Sequence, residues 1–164
     1  MKMPSLGKKN VSIGYTGIEL VDEKDLDKNQ VGYSNLPNGE SLIGKENGDW
    51  KKDWVVIGYE TGCGDPIFID TSDPNFPVYT ALHGEGNWNP NLISSTYHGF
   101  LQIIEKLKIL ATDREYPTKM EEKPMTQKEY DEFILFASDR GGLESAFFWE
   151  LLVSDDNAGI GPEI

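Results

Sequence analysis

The sequence predicts an α+β fold in which an antiparallel sheet packs against two or three helices, with a mixed sheet as the alternative. Three short runs of β-branched and aromatic residues lie between residues 54 and 82, separated by turn residues. After them, the apolar residues change to the one-face spacing of an amphipathic helix. The chain has 164 residues, including 4 Trp, 7 Tyr and 7 Phe. It is long enough to bury the core of one domain, residues 1–164, without disulfides or metal.

The first fifty residues give weak signals. We expect residues 1–10 to be frayed, because they are charged and rich in turn-forming residues. Residues 11–20 alternate loosely and predict one or two short strands broken by glycines. Residues 21–36 carry acids and lysines around a few apolar residues and predict a short exposed helix, with Asp22 available as its N-cap. Residues 37–52 have the Gly, Asn and Asp content of a loop.

The strongest β signal lies in the centre of the chain. Residues 54–60 form a near-continuous apolar run, which is typical of a strand that is central in its sheet or covered on both faces. A turn at 61–65 leads to a second predicted strand at 66–70, and a turn at 71–77 leads to a third at 78–82. Strands joined by loops this short are most simply an antiparallel meander.

The clearest helix signal spans residues 92–111. Its apolar residues recur on one face, and Ser94 or Ser95 is the predicted N-cap. Gly99 lies inside this helix, where glycine costs up to about 1 kcal/mol relative to alanine. We therefore expect Gly99 to mark a close crossing of the helix over the sheet.

A connector and a second helix follow. Residues 112–125 contain two prolines and charges of both signs, which is typical of a connector. Thr126 and Glu129 then have the spacing of a capping box and predict the start of a helix. That helix is expected to end at Gly141 and Gly142.

The last predicted element spans residues 143–156 and is a third amphipathic helix or a strand. We expect the tail at 157–164 to be loose. The residues of this element that are expected to be buried are Phe147, Phe148, Leu151 and Leu152.

The charge is strongly negative and uneven. The formal net charge is −13, and residues 113–164 hold 13 acids against 5 bases. Such a field repels phosphate backbones and anionic lipid surfaces, so nucleic acid is excluded as an expected partner. The acidic C-terminal segment would attract a basic protein. The alternative is that the charge merely keeps the protein in solution.

We expect a cytoplasmic protein. No apolar run approaches the roughly 20 residues of a membrane span, and the polar first ten residues precede no apolar signal region. Cys63 is the only cysteine, so no intrachain disulfide can form and a reducing compartment fits.

The residues that carry chemistry form no catalytic pattern. His83 and His98 lie in different elements and lack the spacing of metal ligands, so we expect no metal and no cofactor. Cys63 lies in a turn without basic neighbours that would activate it as a nucleophile. We therefore expect a protein that is not an enzyme, with a small enzyme that has no recognisable motif as the less favoured alternative.

Two tryptophans lie in polar loops. A loop tryptophan is either a plug over the core or an exposed anchor for a partner. The loops 45–53 and 83–91 combine these tryptophans with acids, which is the composition of a binding hot spot with a charged rim. The predicted partner-binding residues are Glu46, Asp49, Trp50, Asp53, Glu85 and Trp88.

Residues 54–107 contain several short features in a distinctive order and spacing. In chain order these are Ile57-Gly58, Gly64-Asp65, the strand 67–70, Pro77-Val78-Tyr79, Ile93-Ser94-Ser95 and Phe100-Leu101. In this order and spacing, residues 54–107 resemble the SUKH superfamily, which contains bacterial toxin-immunity proteins and a yeast regulator of cell-wall synthesis.

The sequence departs from that family at its start. Family members carry N-terminal helices with a Leu-Pro-x-x-Tyr-x-x-Phe-Leu motif followed by Asn-Gly-Gly, and residues 1–17 are too short and too rich in glycine to hold them. Residues 130–142 echo the lost element, and a C-terminal helix could take its place against the sheet.

The resemblance implies a function without catalysis. Family members have no known active site and act by occluding a partner, so the resemblance implies an immunity protein that neutralises a cognate bacterial toxin. Such a toxin is often a nuclease with a basic surface, which would suit the net charge of −13. A regulatory or scaffolding module without a toxin partner is the alternative.

Overall fold

A computed structural model describes residues 3–7 and 9–154. In this part of the chain six strands form one antiparallel sheet, in which the strand order follows the chain order. The strands are β1 (Asn10–Ile13), β2 (Thr16–Leu20), β3 (Trp54–Glu60), β4 (Pro66–Asp70), β5 (Val78–Thr80) and β6 (Asn91–Ser94). The helices are α1 (Tyr97–Leu110), α2 (Pro117–Glu122), α3 (Gln127–Gly141) and α4 (Ala146–Val153). The predicted α+β fold with an antiparallel sheet is confirmed.

The predicted central strands are confirmed, but the start of the predicted helix 92–111 is wrong. Residues 91–94 are the edge strand β6, which pairs with β5. The helix begins after Thr96, whose hydroxyl accepts a hydrogen bond from the amide of Gly99 at 2.9 Å. Thr96 is therefore the N-cap, in place of Ser94 or Ser95. The third strand ends at Thr80, two residues before its predicted end.

Several other segments differ from the sequence prediction. The helix predicted at 21–36 is replaced by two 3-10 turns, Glu23–Asp25 and Lys28–Gln30. The connector 112–125 contains the short helix α2, whose Met120 is buried. Leu6 is also buried, so the N-terminal segment is held against the core at this point instead of being frayed. The tail 157–164 lies outside the described residues.

Both faces of the sheet are covered. On one face, apolar residues such as Ile57 and Ile69 belong to a core that includes α1, α3 and α4. On the other face, Phe68 packs against the ring of Trp50, with 4.7 Å between the ring centroids. Trp50 is carried by the long connection 21–53 between β2 and β3. The prediction that residues 54–60 form a strand that is central in its sheet or covered on both faces is therefore confirmed.

The connection between β2 and β3 is pinned to the middle of β3. The side-chain amide of Gln30 donates a hydrogen bond to the carbonyl of Val56 at 2.8 Å and accepts one from its amide at 2.9 Å. The pairing of β3 with β4 shifts register between Val56 and Gly58. A side chain thus supplies hydrogen bonds to the backbone of β3 at this irregularity.

The helices occupy part of the outer edge of strand β6. The indole N–H of Trp149 on α4 donates a hydrogen bond to the carbonyl of Ile93 at 2.9 Å, and the amide of Ser95 donates one to the carbonyl of Gly141 at 2.8 Å. The carbonyl of Ile93 in β6 and the amide of Ser95 just after it are therefore not free to pair with another strand.

Gly99 lies at a helix crossing. A Cβ atom at this position would overlap the carbonyl oxygen of Arg140 at the end of α3. The close approach is therefore between α1 and α3, and the prediction that Gly99 crosses the sheet is wrong. The glycine is required because only a residue without a side chain allows the two backbones so near to each other.

A buried arginine holds the helical layer together. The side chain of Arg114 is 2% exposed, and the residue lies in the turn that follows α1. Its guanidinium donates hydrogen bonds to the carbonyls of Leu110, Lys123 and Pro124. It also makes a bidentate pair with the carboxylate of Glu129, with both N–O distances 2.9 Å. One side chain therefore joins the end of α1, the end of α2 and the start of α3.

The same glutamate completes the predicted capping box, which is confirmed. The amide of Glu129 donates to the hydroxyl of Thr126 at 3.1 Å, and the amide of Thr126 donates to the carboxylate of Glu129 at 3.2 Å. The hydrogen bond from Arg114, followed by that from the Thr126 backbone, holds the pKa of the Glu129 carboxyl well below its usual range, at about 2.

We predict that Glu129→Gln lowers stability and flattens its dependence on acid. Because the folded chain binds this proton less tightly than the unfolded chain, the contribution of Glu129 is complete above about pH 4.5. It is lost as the pH falls through about 2. Urea unfolding of wild type and variant at pH 7, 4 and 2.5 should show a difference that shrinks on acidification.

The matched control is Glu132→Gln, which changes an exposed glutamate on the same helix that pairs at 3.8 Å with the surface residue Lys128. Such an exposed ion pair contributes little to the free energy of unfolding. The role assigned to Glu129 would be wrong if the two variants lost equal stability, or if the loss in Glu129→Gln were the same at every pH.

Candidate functional site

The structure brings together the two loops that were predicted to bind a partner. The amide of Trp88 donates a hydrogen bond to the carbonyl of Gly48 at 2.8 Å, so the loops 45–53 and 83–91 touch. The rings of Trp50 and Trp88 meet edge to face, with centroids 5.4 Å apart. The predicted residues therefore lie on one side of the molecule.

Trp50 is nevertheless a plug of the core and not a surface anchor. Its side chain is 1% exposed, and its indole N–H donates to the carbonyl of Trp54 at 3.2 Å. Its ring lies in a cluster with Tyr33 and Phe68. Burial, followed by the nearby Tyr59 and Asp65, raises the pKa of the Tyr33 phenol to about 12. The aromatic centre of the predicted patch is thus reduced to Trp88, which is half-buried.

The acids of the predicted patch divide into two groups. Glu46 and Glu85 are exposed, whereas Asp49 and Asp53 are half-buried. The carboxylate of Asp49 accepts a hydrogen bond from the amide of Glu46 at 3.0 Å and so supports the loop itself. Binding of a partner through this patch stays a prediction, and it would rest on exposed acids beside Trp88.

A second surface, which the sequence did not indicate, has the geometry of a docking site. A groove with a volume of about 820 Å³ runs between α4 and one end of the sheet. One wall is α4 and the other is the start of β6 with the loop before it. The turns between β1 and β2 and between β3 and β4 close its end.

The groove is lined by apolar side chains that lie open to solvent. Phe147 is 69% exposed and Leu151 is 54% exposed, and Leu82 faces the same groove. The prediction that Phe147 and Leu151 are buried is therefore wrong, although Leu152 is buried and Phe148 is half-buried.

The position of the core residues on α4 explains this error. Trp149, Leu152 and Val153 face the core. Because consecutive helical residues are separated by about 100°, Phe147 and Leu151 fall on the opposite side of the helix. Every residue of α4 except Glu150 is apolar, so periodicity could not tell which side is inward.

Acids accompany the apolar walls. Glu60, Asp65 and Glu144 line the groove, and none of the described lining residues is Lys or Arg. The carboxylate of Glu60 is held in place by the hydroxyl of Thr16 and by the amides of Gly62 and Cys63. Three neutral donors thus fix the orientation of this carboxylate in the groove.

Cys63 and His83 lie at the same end of the groove but lack the features of an activated nucleophile. The Nδ1 atom of His83 is 2.6 Å from the carboxylate of Asp65. The carboxylate of Glu60, followed by burial and by Asp65, raises the pKa of the Cys63 thiol. A catalytic cysteine needs the opposite shift, because the thiolate is the nucleophile.

Residues 3–7 and 9–154 also bear on metal binding and on membrane insertion. Within these ranges no three His, Cys, Asp or Glu side chains are grouped so that they could hold a metal ion. In the same part of the chain, every helix is too short or too polar to cross a membrane.

Comparisons with protein-family models, with curated proteins and with solved structures gave no match to this chain. The resemblance of residues 54–107 to the SUKH superfamily stays a prediction that rests on those residues alone. The geometry and charge of the surface are therefore the features that indicate a function.

We predict that Trp50→Ala and Trp88→Ala differ sharply in stability. Removal of the fully buried Trp50 should cost about 3–5 kcal/mol, because it leaves a cavity against Phe68. Removal of the half-buried Trp88 should cost less than half as much. Urea unfolding followed by circular dichroism measures both. A Trp50→Ala variant that unfolds like wild type would show that the indole is not a structural plug.

Proposed function

We propose that this protein acts by binding a protein partner, without a catalytic step, and that the groove beside α4 is the binding surface. One observation carries the proposal: large apolar side chains, Phe147, Leu151 and Leu82, are exposed together in one concave surface. Contiguous exposed apolar surface is costly in water and marks interaction sites. A partner that covers these side chains removes them from solvent.

The charge of the protein supports a basic partner. The net charge is −13, and the lining residues Glu60, Asp65 and Glu144 place acids beside the apolar walls. Complementary fields accelerate association, and acids at the rim of an apolar patch select against acidic partners. The apolar centre would then slow dissociation.

The biological role that we propose is neutralisation of a cognate bacterial toxin in the cytoplasm. Its support is the resemblance of residues 54–107 to the SUKH superfamily, together with a charge suited to a basic nuclease domain. The single cysteine, Cys63, is exposed and suits a reducing compartment. A regulatory or scaffolding module that binds through the same groove is the alternative role.

We predict that co-expression of this protein protects cells from a toxin that is encoded beside its gene. Leu151→Ser should weaken the complex by about tenfold, since an apolar side chain at the centre of an interface contributes on the order of 1–2 kcal/mol. The measurements are survival of the co-expressing cells and affinity by surface plasmon resonance.

The matched control is Leu135→Ser, which makes the same change on α3 at a side chain that is 73% exposed and does not line the groove. Leu135→Ser should bind like wild type, and both variants should keep the melting temperature of wild type. If Leu151→Ser binds the partner unchanged, the groove is not the interface and the Trp88 patch is the next candidate. Binding without any protection would favour the regulatory role.

A further inference from the structure

The two walls of the groove differ in kind. One wall is helical: Phe147 and Leu151 are four residues apart and form one stripe along α4. The facing wall includes Leu82, in the loop between β5 and β6, and Leu92, in β6.

An added strand along β6 would find part of that edge already occupied. An extended segment that joined β6 would need the free amides and carbonyls of that edge. The carbonyl of Ile93 accepts a hydrogen bond from the indole of Trp149, and the amide of Ser95 donates one to the carbonyl of Gly141. An α-helix satisfies its own backbone and needs side-chain contacts alone, and a ridge of residues spaced by four on α4 suits helix packing.

The charges of the groove distinguish between possible occupants. A second copy of the chain would bring its own Glu144 and Glu150 to a surface that already carries Glu60 and Asp65. The residues 155–164 of the chain itself hold three acids and no base. Like charges oppose both of these occupants, whereas Lys and Arg beside an apolar stripe would be attracted.

We propose that the groove binds an amphipathic α-helix of the partner whose apolar stripe is flanked by Lys and Arg. The apolar stripe packs between α4 and Leu82, and the flanking cations approach the carboxylates of Glu60 and Glu144. Glu60 selects a cation at one end, because its fixed carboxylate is ready to accept from a guanidinium. This inference rests on the proposed function and specifies its partner.

The test uses three synthetic peptides with a fluorescent label and the full chain. The first carries leucines at i, i+3, i+4 and i+7 with flanking lysines and arginines. The second has glutamates in place of those cations, and the third has two central prolines that prevent a helix. Fluorescence anisotropy should show the first peptide binding at least about tenfold more tightly than either of the others. Its affinity should fall as salt is added.

Charge reversal in the protein provides the matched pair. Glu144→Lys should weaken binding of the basic peptide severalfold and reduce its salt dependence. Glu121→Lys makes the same change on α2, outside the groove, and should have little effect. Leu151→Ser should weaken binding and Leu135→Ser should not, as for the protein partner. Melting temperatures equal to wild type show that the variants are folded.

Several results would overturn the inference. Equal binding of the proline peptide would point to an extended occupant, and equal binding of the acidic peptide would show that charge is not recognised. A dimer in sedimentation equilibrium that Leu151→Ser abolishes would assign the groove to a second copy. Tighter peptide binding by Ile160→Ser would assign it to the chain's own C-terminal residues. Absence of binding at about 1 mM basic peptide would also contradict it.

Failure of this inference is distinguishable from failure of the proposed function. If Leu151→Ser disrupts the complex with the protein partner while the peptides are not discriminated, the groove binds a partner of another shape or charge. If Leu151→Ser leaves that complex intact, the groove itself is not the interface, whatever the peptides show.

Discussion

The central strands β3 and β4 are apolar on both faces, so other parts of the chain have to cover both faces of the sheet. The helices bury one face, and the connection 21–53 covers the other with Trp50. A large apolar side chain in a polar loop is explained by this need, since leaving Phe68 exposed would cost a few kcal/mol. Trp50 is buried, whereas Phe147 and Leu151 on α4 stay exposed in the groove.

The position of α4 depends in turn on a chain of polar contacts. Arg114 fixes the start of α3 through Glu129, and at the far end of α3 the carbonyl of Gly141 accepts a hydrogen bond from the amide of Ser95, the residue after β6. The helix α4 follows that junction and is tied to the same strand by Trp149. The position of α4, one wall of the groove, thus depends on the buried side chain of Arg114 and on the hydrogen bond of the Trp149 indole. Both side chains have hydrogen-bond partners inside the fold.

The sequence predicted features that local chemistry decides and missed those that tertiary contacts decide. The strands at 54–60 and 66–70 and the capping box at Thr126 follow from composition and spacing, which are local. The sequence pattern assigned strand β6 to the helix that follows it, because the residues of β6 alone do not show that they pair with β5. The groove was missed because α4 is apolar on nearly every side, so the sequence did not show that Phe147 faces outward. The burial of Trp50 could not be predicted either, because the burial of a loop residue depends on the sheet that it covers.

A sheet in which strand order equals chain order has a consequence for the folding pathway. Most neighbouring strands are joined by short connections, so their contacts have low sequence separation and can form quickly. The exception is the pairing of β2 with β3, which closes the loop 21–53 and carries the largest entropic cost of closure. The hairpins are expected to form early, and Gln30 can reach Val56 only once that loop closes. We therefore expect the slowest step of folding to be the closure that withdraws Trp50 from water, so that the fluorescence of its indole would report this step.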